Sequence, residues 1–313
     1  MRPATFVLFA TIGAFPAVAV AQQHEHSAAA HDHAGKPVEC RTLAAPPWSG
    51  LPASDLAVIQ QLQTSLTGVQ ASAAAAQSGF APAFGDIPTM GVHWVNRARM
   101  QDGVKLDQPD HLLFTRIAGH DSLVGVAYAF RGPLDAKIPA TFSSELAQWH
   151  DHANLGGGAG QTLHMLHVWF VPSPYGPFAG NNFFLPLMGA GMALPSPCWI
   201  QTDAEVERLE LVASLIDVVN RERDSLITTT GQGRRAMRRD GRARSLLSGL
   251  ADRLEPTFRA LDSAALRGDR IAWQRAADQS LGLLRPLERQ LLTTVRDLVK
   301  GVQASTGRAP QQE

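Results

Sequence analysis

From Ile87 to Trp199 glycine and proline recur every few residues, and short β-branched or aromatic runs stand between turn residues. From Thr202 onward apolar residues return at helical steps of three and four. Strand and helix periodicities bury different faces, so a chain that carries them in separate blocks must build a sheet and helices as distinct layers. The change of texture predicts an α+β fold: a small antiparallel β-rich domain packed with or followed by an α-helical bundle. With 313 residues, 45% apolar and 18% charged, the chain has enough apolar surface for one large domain or two small ones.

The N-terminus has Arg2, an apolar stretch from Thr5 to Val20, and the small residues Ala19-Val20-Ala21 before Gln22, the three-part build of a secretory signal peptide. Cleavage after Ala21 is expected, leaving a periplasmic or secreted protein with no transmembrane helix. The apolar stretch is shorter than the ~20 residues a bilayer span needs, and it contains Pro16. Export permits a disulfide between Cys40 and Cys198, the only cysteines; sequence leaves open whether their Cα atoms approach.

Residues 22–50 read as a disordered, histidine-rich tail, because 22–39 hold no bulky apolar residue except Val38. Residues 51–78 read as a helix capped by Ser54 or Asp55, with Leu56, Ile59, Leu62, Leu66 and Val69 along one face. The β-rich domain spans 79–201, with strands expected over 92–96, 112–117, 123–130 and 163–171 and a hairpin loop over 118–122. A helical bundle is expected over 202–304 and a tail over 305–313. Pro256 and Pro286 interrupt the later helices.

All eleven histidines fall at or before His167. His24, His26, His31 and His33 form two His-X-His units with neighbouring carboxylates, a composition that captures zinc, copper or nickel ions. Within the β-rich domain, His150 and His152 lie two apart and point to one side of an extended segment. His164 and His167 lie three apart and point to opposite faces. A site built from His93, His167 and one or both of His150 and His152, completed by Asp110, would suit a divalent transition metal, copper or zinc first and iron next. The ordinary alternative is a set of core histidines that hydrogen-bond to the main chain.

Other features point nowhere definite. Ser143 and Ser144 lack a nucleophile-elbow setting, and the glycines at 156–160 lack the strand-before, helix-after context of a phosphate loop. Asp102, Asp107 and Asp110 sit among turn residues. Arg234, Arg235, Arg238, Arg239, Arg242 and Arg244 form the densest basic patch, read as a solvated helix end or an anion contact. With 28 basic against 28 acidic side chains there is no whole-chain drive toward nucleic acid, and no nucleic-acid partner is expected.

Met90-Gly91-Val92-His93-Trp94-Val95-Asn96, Asp102-Gly103 with Leu106-Asp107 and Pro109-Asp110, Leu123-Val124-Gly125-Val126-Ala127-Tyr128, Leu166-His167-Val168-Trp169-Phe170, Gly176-Pro177-Phe178-Ala179 and Cys198 together form a pattern. Over about residues 79–199 the chain resembles a family of uncharacterised secreted bacterial proteins with that pattern. The family usually has glutamate where this chain has Asp110, and its pattern does not clearly include the cluster from Trp149 to His152. The resemblance therefore favours His93 and His167 over His150 and His152, and implies a secreted β-containing domain without naming a reaction.

The expectation is an exported protein that binds a divalent transition metal through these histidines. Its rivals are a metal-dependent oxidoreductase or hydrolase using the same residues, and an envelope assembly module whose partner protein docks on the C-terminal helices.

Overall fold

The computed structural model describes residues 36–217 and 255–283 together with 286, apart from 88, 118, 153, 154, 156, 157 and 215. The expected signal segment, His24, His26, His31, His33, the arginine cluster of 234–244 and the expected tail of 305–313 lie outside the described residues.

Six strands form one antiparallel sheet in the order β1-β2-β3-β4-β6-β5: β1 (Ala81–Ile87), β2 (Gly91–Val95), β3 (His111–Ile117), β4 (His120–Gly132), β5 (His150–His152) and β6 (Thr162–Trp169). An antiparallel sheet with several helices places the chain in the α+β class. The four expected strands occur close to their expected bounds, but the loop expected over 118–122 is shorter, since β4 begins at His120, directly after Gly119 at φ 84°. β1 and β5 were not expected. β1 contains Pro82 and Gly85, which break a strand pattern, yet it is the outermost strand, where a missing N–H leaves no partner wanting.

The sheet is covered on both faces. On one face Leu113, Ala127, Ala129, Leu163, Met165 and Trp169 share an apolar cluster with the C-terminal helices. Those helices contribute Leu209, Val212 and Ile216 from 203–217, Leu261 from 255–266, and Trp273 and Ala277 from 270–283. Tyr175 Oη donates to Glu210 (3.0 Å) and Arg208 Nε to Asp278 (2.7 Å), which fixes this helical layer against the sheet and within itself. On the other face Leu112, Phe114, Val126, Tyr128, Leu166 and Val168 pack with Ile59 and Leu62 of helix α1 (Ala53–Ser65). Each fully buried leucine here contributes about 1.5–3 kcal/mol. β6 is buried at every position, so its sequence does not alternate between apolar and polar.

Two expectations near the N-terminus need correction. The tail does not extend to residue 50: from residue 36 the chain is ordered, with Trp48 2% and Ala44 0% exposed. Its main chain pairs with the turn after β6, Val38 N to Pro174 O (3.1 Å) and Ser173 N to Ala44 O (2.9 Å), and a Cys40–Cys198 disulfide joins it to the far end of the sheet domain. The helix of 51–78 is also interrupted. α1 ends at Ser65, Gly68 lies in the turn that follows, and a short second helix, α2, spans Ser72–Gln77. Pro52 is the N-cap of α1, rather than Ser54 or Asp55. Asp55 is buried and accepts hydrogen bonds from Ser143 N (2.8 Å) and Ser144 N (2.7 Å), tying the helix to the loop before β5. Among the described residues no helix is long and apolar enough to cross a membrane.

Candidate metal centre

Register decides which histidines meet. Residues directly opposite in an antiparallel pair share a face of the sheet. Val95 pairs with His111, His111 with Ala127, and Ala127 with His167, while His93 pairs with Leu113 two places along. His150 pairs with Met165 and His152 with Leu163, both on the same side of β6 as His167. His93, His111, His150, His152 and His167 therefore all project from the face that carries the C-terminal helices.

Strands β2 and β6 are three inter-strand steps apart, about 14 Å in a flat sheet. Even so, the Nε2 atoms of His93 and His167 stand 3.3 Å from each other. On that face β4 presents only Gly125 and Ala127 between them, which leaves room for the two rings to lean inward. Neighbouring rings continue on either side. His111 lies 6.0 Å from His93 between centroids, His93 5.5 Å from His167, His167 4.8 Å from His150, and His150 4.9 Å from His152. The inner rings are enclosed, with His93 2%, His111 1% and His167 0% exposed. His150 and His152 are half-buried at the sheet edge.

Hydrogen bonds fix the rings' protonation. His167 Nδ1 donates to the Gly180 carbonyl (2.8 Å), so its Nε2 carries the lone pair and accepts from His93 Nε2. His93 Nδ1 is a buried polar atom without a hydrogen-bond partner, and the Gly91 backbone lies within reach of the same ring. Burial, then the neighbouring His111 and His152 rings, push His93 down from the usual imidazole range to about 3. Burial, then His150, His93 and His152, hold His167 well below that range. Both rings are neutral at physiological pH, the state in which imidazole binds a metal.

Asp110 makes two hydrogen bonds that its sequence position does not reveal. Its Oδ1 takes the Nδ1–H of His111, and its Oδ2 accepts from Ala129 N of β4 (3.1 Å). Each oxygen takes one hydrogen bond, so Asp110 orients His111 and ties it to β4. His111, which the sequence reading passed over, is the ring it delivers to the cluster.

His164 stands apart, as its spacing from His167 predicts. It stacks on Phe130 at 4.6 Å, with Nδ1 at 2.6 Å from Asp151 Oδ1 and Nε2 at 3.0 Å from the Pro133 carbonyl. That contact pins β5 to β6 from the opposite face and so helps to place His150 and His152. Among the described residues no three His, Cys, Asp or Glu side chains form a ready-made group for a metal ion. The described arrangement is a closely spaced pair, His93 and His167, with further imidazoles within one ring's reach.

No protein-family model, curated protein or solved structure matches the chain.

Proposed function

We propose that this is an exported protein whose sheet domain binds a divalent transition-metal ion, copper or zinc, through His93 and His167, with further imidazoles drawn from the same cluster. The observation that carries the reading is the 3.3 Å separation of two buried, neutral Nε2 atoms. A tetrahedral zinc ion with nitrogens at about 2.0–2.1 Å separates each pair of them by about 3.3–3.4 Å, and ligating rings then lie about 5 Å apart between centroids. The cluster's measured separations of 4.8–6.0 Å bracket that value. Binding requires His93 to move its proton from Nε2 to the unsatisfied Nδ1, beside the Gly91 backbone, and a third ring to swing inward.

Export is supported by the N-terminal three-part segment and by the Cys40–Cys198 bond, which suits an oxidising compartment. Enclosure of the inner rings favours holding an ion over turning a substrate over, so no reaction is proposed. The C-terminal helices, expected as a bundle, would serve here as the lid over that face of the sheet.

The test uses the exported chain with His24, His26, His31 and His33 replaced by Ala, so that the tail contributes no signal. After dialysis against a weak chelator, elemental analysis should find about one equivalent of zinc or copper, lost in His93→Ala. A protein that keeps its fold and carries no stoichiometric metal refutes the reading.

A further inference from the structure

This inference concerns the contact between His93 and His167, and rests on the metal-binding reading only for what that contact serves. We propose that the run from Ala179 to Asn182 is a jig laid across the sheet, and that Thr89 and Asn181 are positioning residues that set the contact between the two rings.

In the order of the sheet β3 and β4 lie between β2 and β6, so no ladder hydrogen bond links the strands that carry the rings. A second connection runs over the face. On the β6 side, Trp169 N donates to the Pro177 carbonyl (2.7 Å), Trp169 Nε1 to the Ala179 carbonyl (2.6 Å) and His167 Nδ1 to the Gly180 carbonyl (2.8 Å). The next two residues reach the turn that leads into β2. Asn181 Oδ1 accepts from Thr89 Oγ1 (2.9 Å), and Asn182 N donates to the Thr89 carbonyl (2.9 Å). β2 opens at Gly91, shortly after Thr89, and carries His93. The run therefore grips the His167 strand with its first half and the root of the His93 strand with its second.

Two features mark this as a fixed joint. Thr89 is 6%, Asn181 3% and Asn182 0% exposed, so breaking the bond between hydroxyl and amide takes a partner from polar atoms that water does not reach. Thr89 also has φ 61°, an uncommon conformation for a β-branched residue, which persists where surrounding contacts over-determine it.

The two rings differ in what aims them. His167 is held by the Gly180 carbonyl, whereas His93 Nδ1 has no hydrogen-bond partner, so the direction of the His93 ring follows its backbone. Loosening Thr89 should therefore shift His93 away from His167 and leave the proton on His167 Nδ1 in place.

Nitrogen NMR of the chelator-treated full chain, isotopically labelled at the histidine nitrogens, reads this directly, because a ring nitrogen that donates to another passes scalar coupling across the hydrogen bond. The parent should show coupling between the Nε2 atoms of His93 and His167, with His167 protonated at Nδ1. Thr89→Val keeps the shape and removes the hydroxyl; it should lose the coupling and retain that proton. Thr89→Ser, which keeps the hydroxyl, should restore the coupling. Coupling of parental size in Thr89→Val, or its loss in Thr89→Ser as well, overturns the inference. If Thr89→Val does not fold, Asn181→Ala decides in the same measurement, with loss of coupling expected and parental coupling refuting. A parent chain without the coupling overturns the proposal with no variant needed. A chain that passes this test and retains no zinc or copper upholds the jig and refutes the metal-binding reading. One that retains metal yet keeps the coupling in metal-free Thr89→Val overturns only the jig.

Discussion

The enclosed imidazoles make the metal-free protein sensitive to mild acid. Burial lowers His93 from 6.5 to about 3 and His167 well below 6.5, while the same residues in the unfolded chain return to about 6.5. Below that value the unfolded chain binds protons that the folded one refuses. The stability these groups contribute is therefore fully present above about pH 6.5 and is lost as pH falls below it, for His93 over a window that extends toward 3. The His93 ring costs about 1.4 kcal/mol per pH unit inside the window, or about 2 kcal/mol between about pH 8 and pH 5, and His167 adds a cost of the same sign. That is a large share of the 5–15 kcal/mol typical of a folded protein. The measurement is urea unfolding of chelator-treated protein, disulfide intact, at a series of pH values. His93→Leu should flatten the pH dependence by about one proton, whatever it does to stability at neutral pH. If the slopes of the parent and His93→Leu are parallel below pH 6.5, the ring is not held neutral and the electrostatic argument fails.

Two further perturbations test the scaffold. Replacing both Cys40 and Cys198 by Ala opens a covalent loop with a sequence separation of 158 and should cost about 2–5 kcal/mol, read as a lower melting temperature. A wild-type melting curve in that variant would mean that the bond adds nothing to an already fixed segment. Gly125→Ala would place a methyl group 2.6 Å from the Val168 carbonyl oxygen and 3.2 Å from the Trp169 ring, with the main chain unable to yield cheaply. It should destabilise by about 1–3 kcal/mol in denaturant unfolding. Because Trp169 lies 5.5 Å from His167, the same variant should weaken metal binding, which titration calorimetry can measure.

The inner strands were legible because Leu123 to Phe130 and Leu163 to Val171 are apolar runs with no helical period, bounded by turn residues. β1 was hidden by Pro82 and Gly85, tolerated because the strand is outermost, and β5 is too short for any pattern to register. Ordering of 36–50 depends on a bond to Cys198 and on main-chain pairing with 173–174, neither of which has a local signature. At the site, same-side projection of His150 and His152 and the divergence of His164 from His167 follow from strand geometry alone. The part played by His111 does not. It depends on the register that sets Val95 opposite His111 and on Ala129 of a different strand engaging Asp110, so the hydrogen bond between this carboxylate and the neighbouring ring has no local signature.

The Cys40–Cys198 bond also sets how tension would travel through the molecule. Every described strand, from Ala81 to Trp169, and every ring of the cluster lies inside the covalent loop it closes. A pull applied before Cys40 and after Cys198 passes from sulfur to sulfur and bypasses the sheet. Load carried between the two cysteines would leave the strands and the imidazoles they position unstretched.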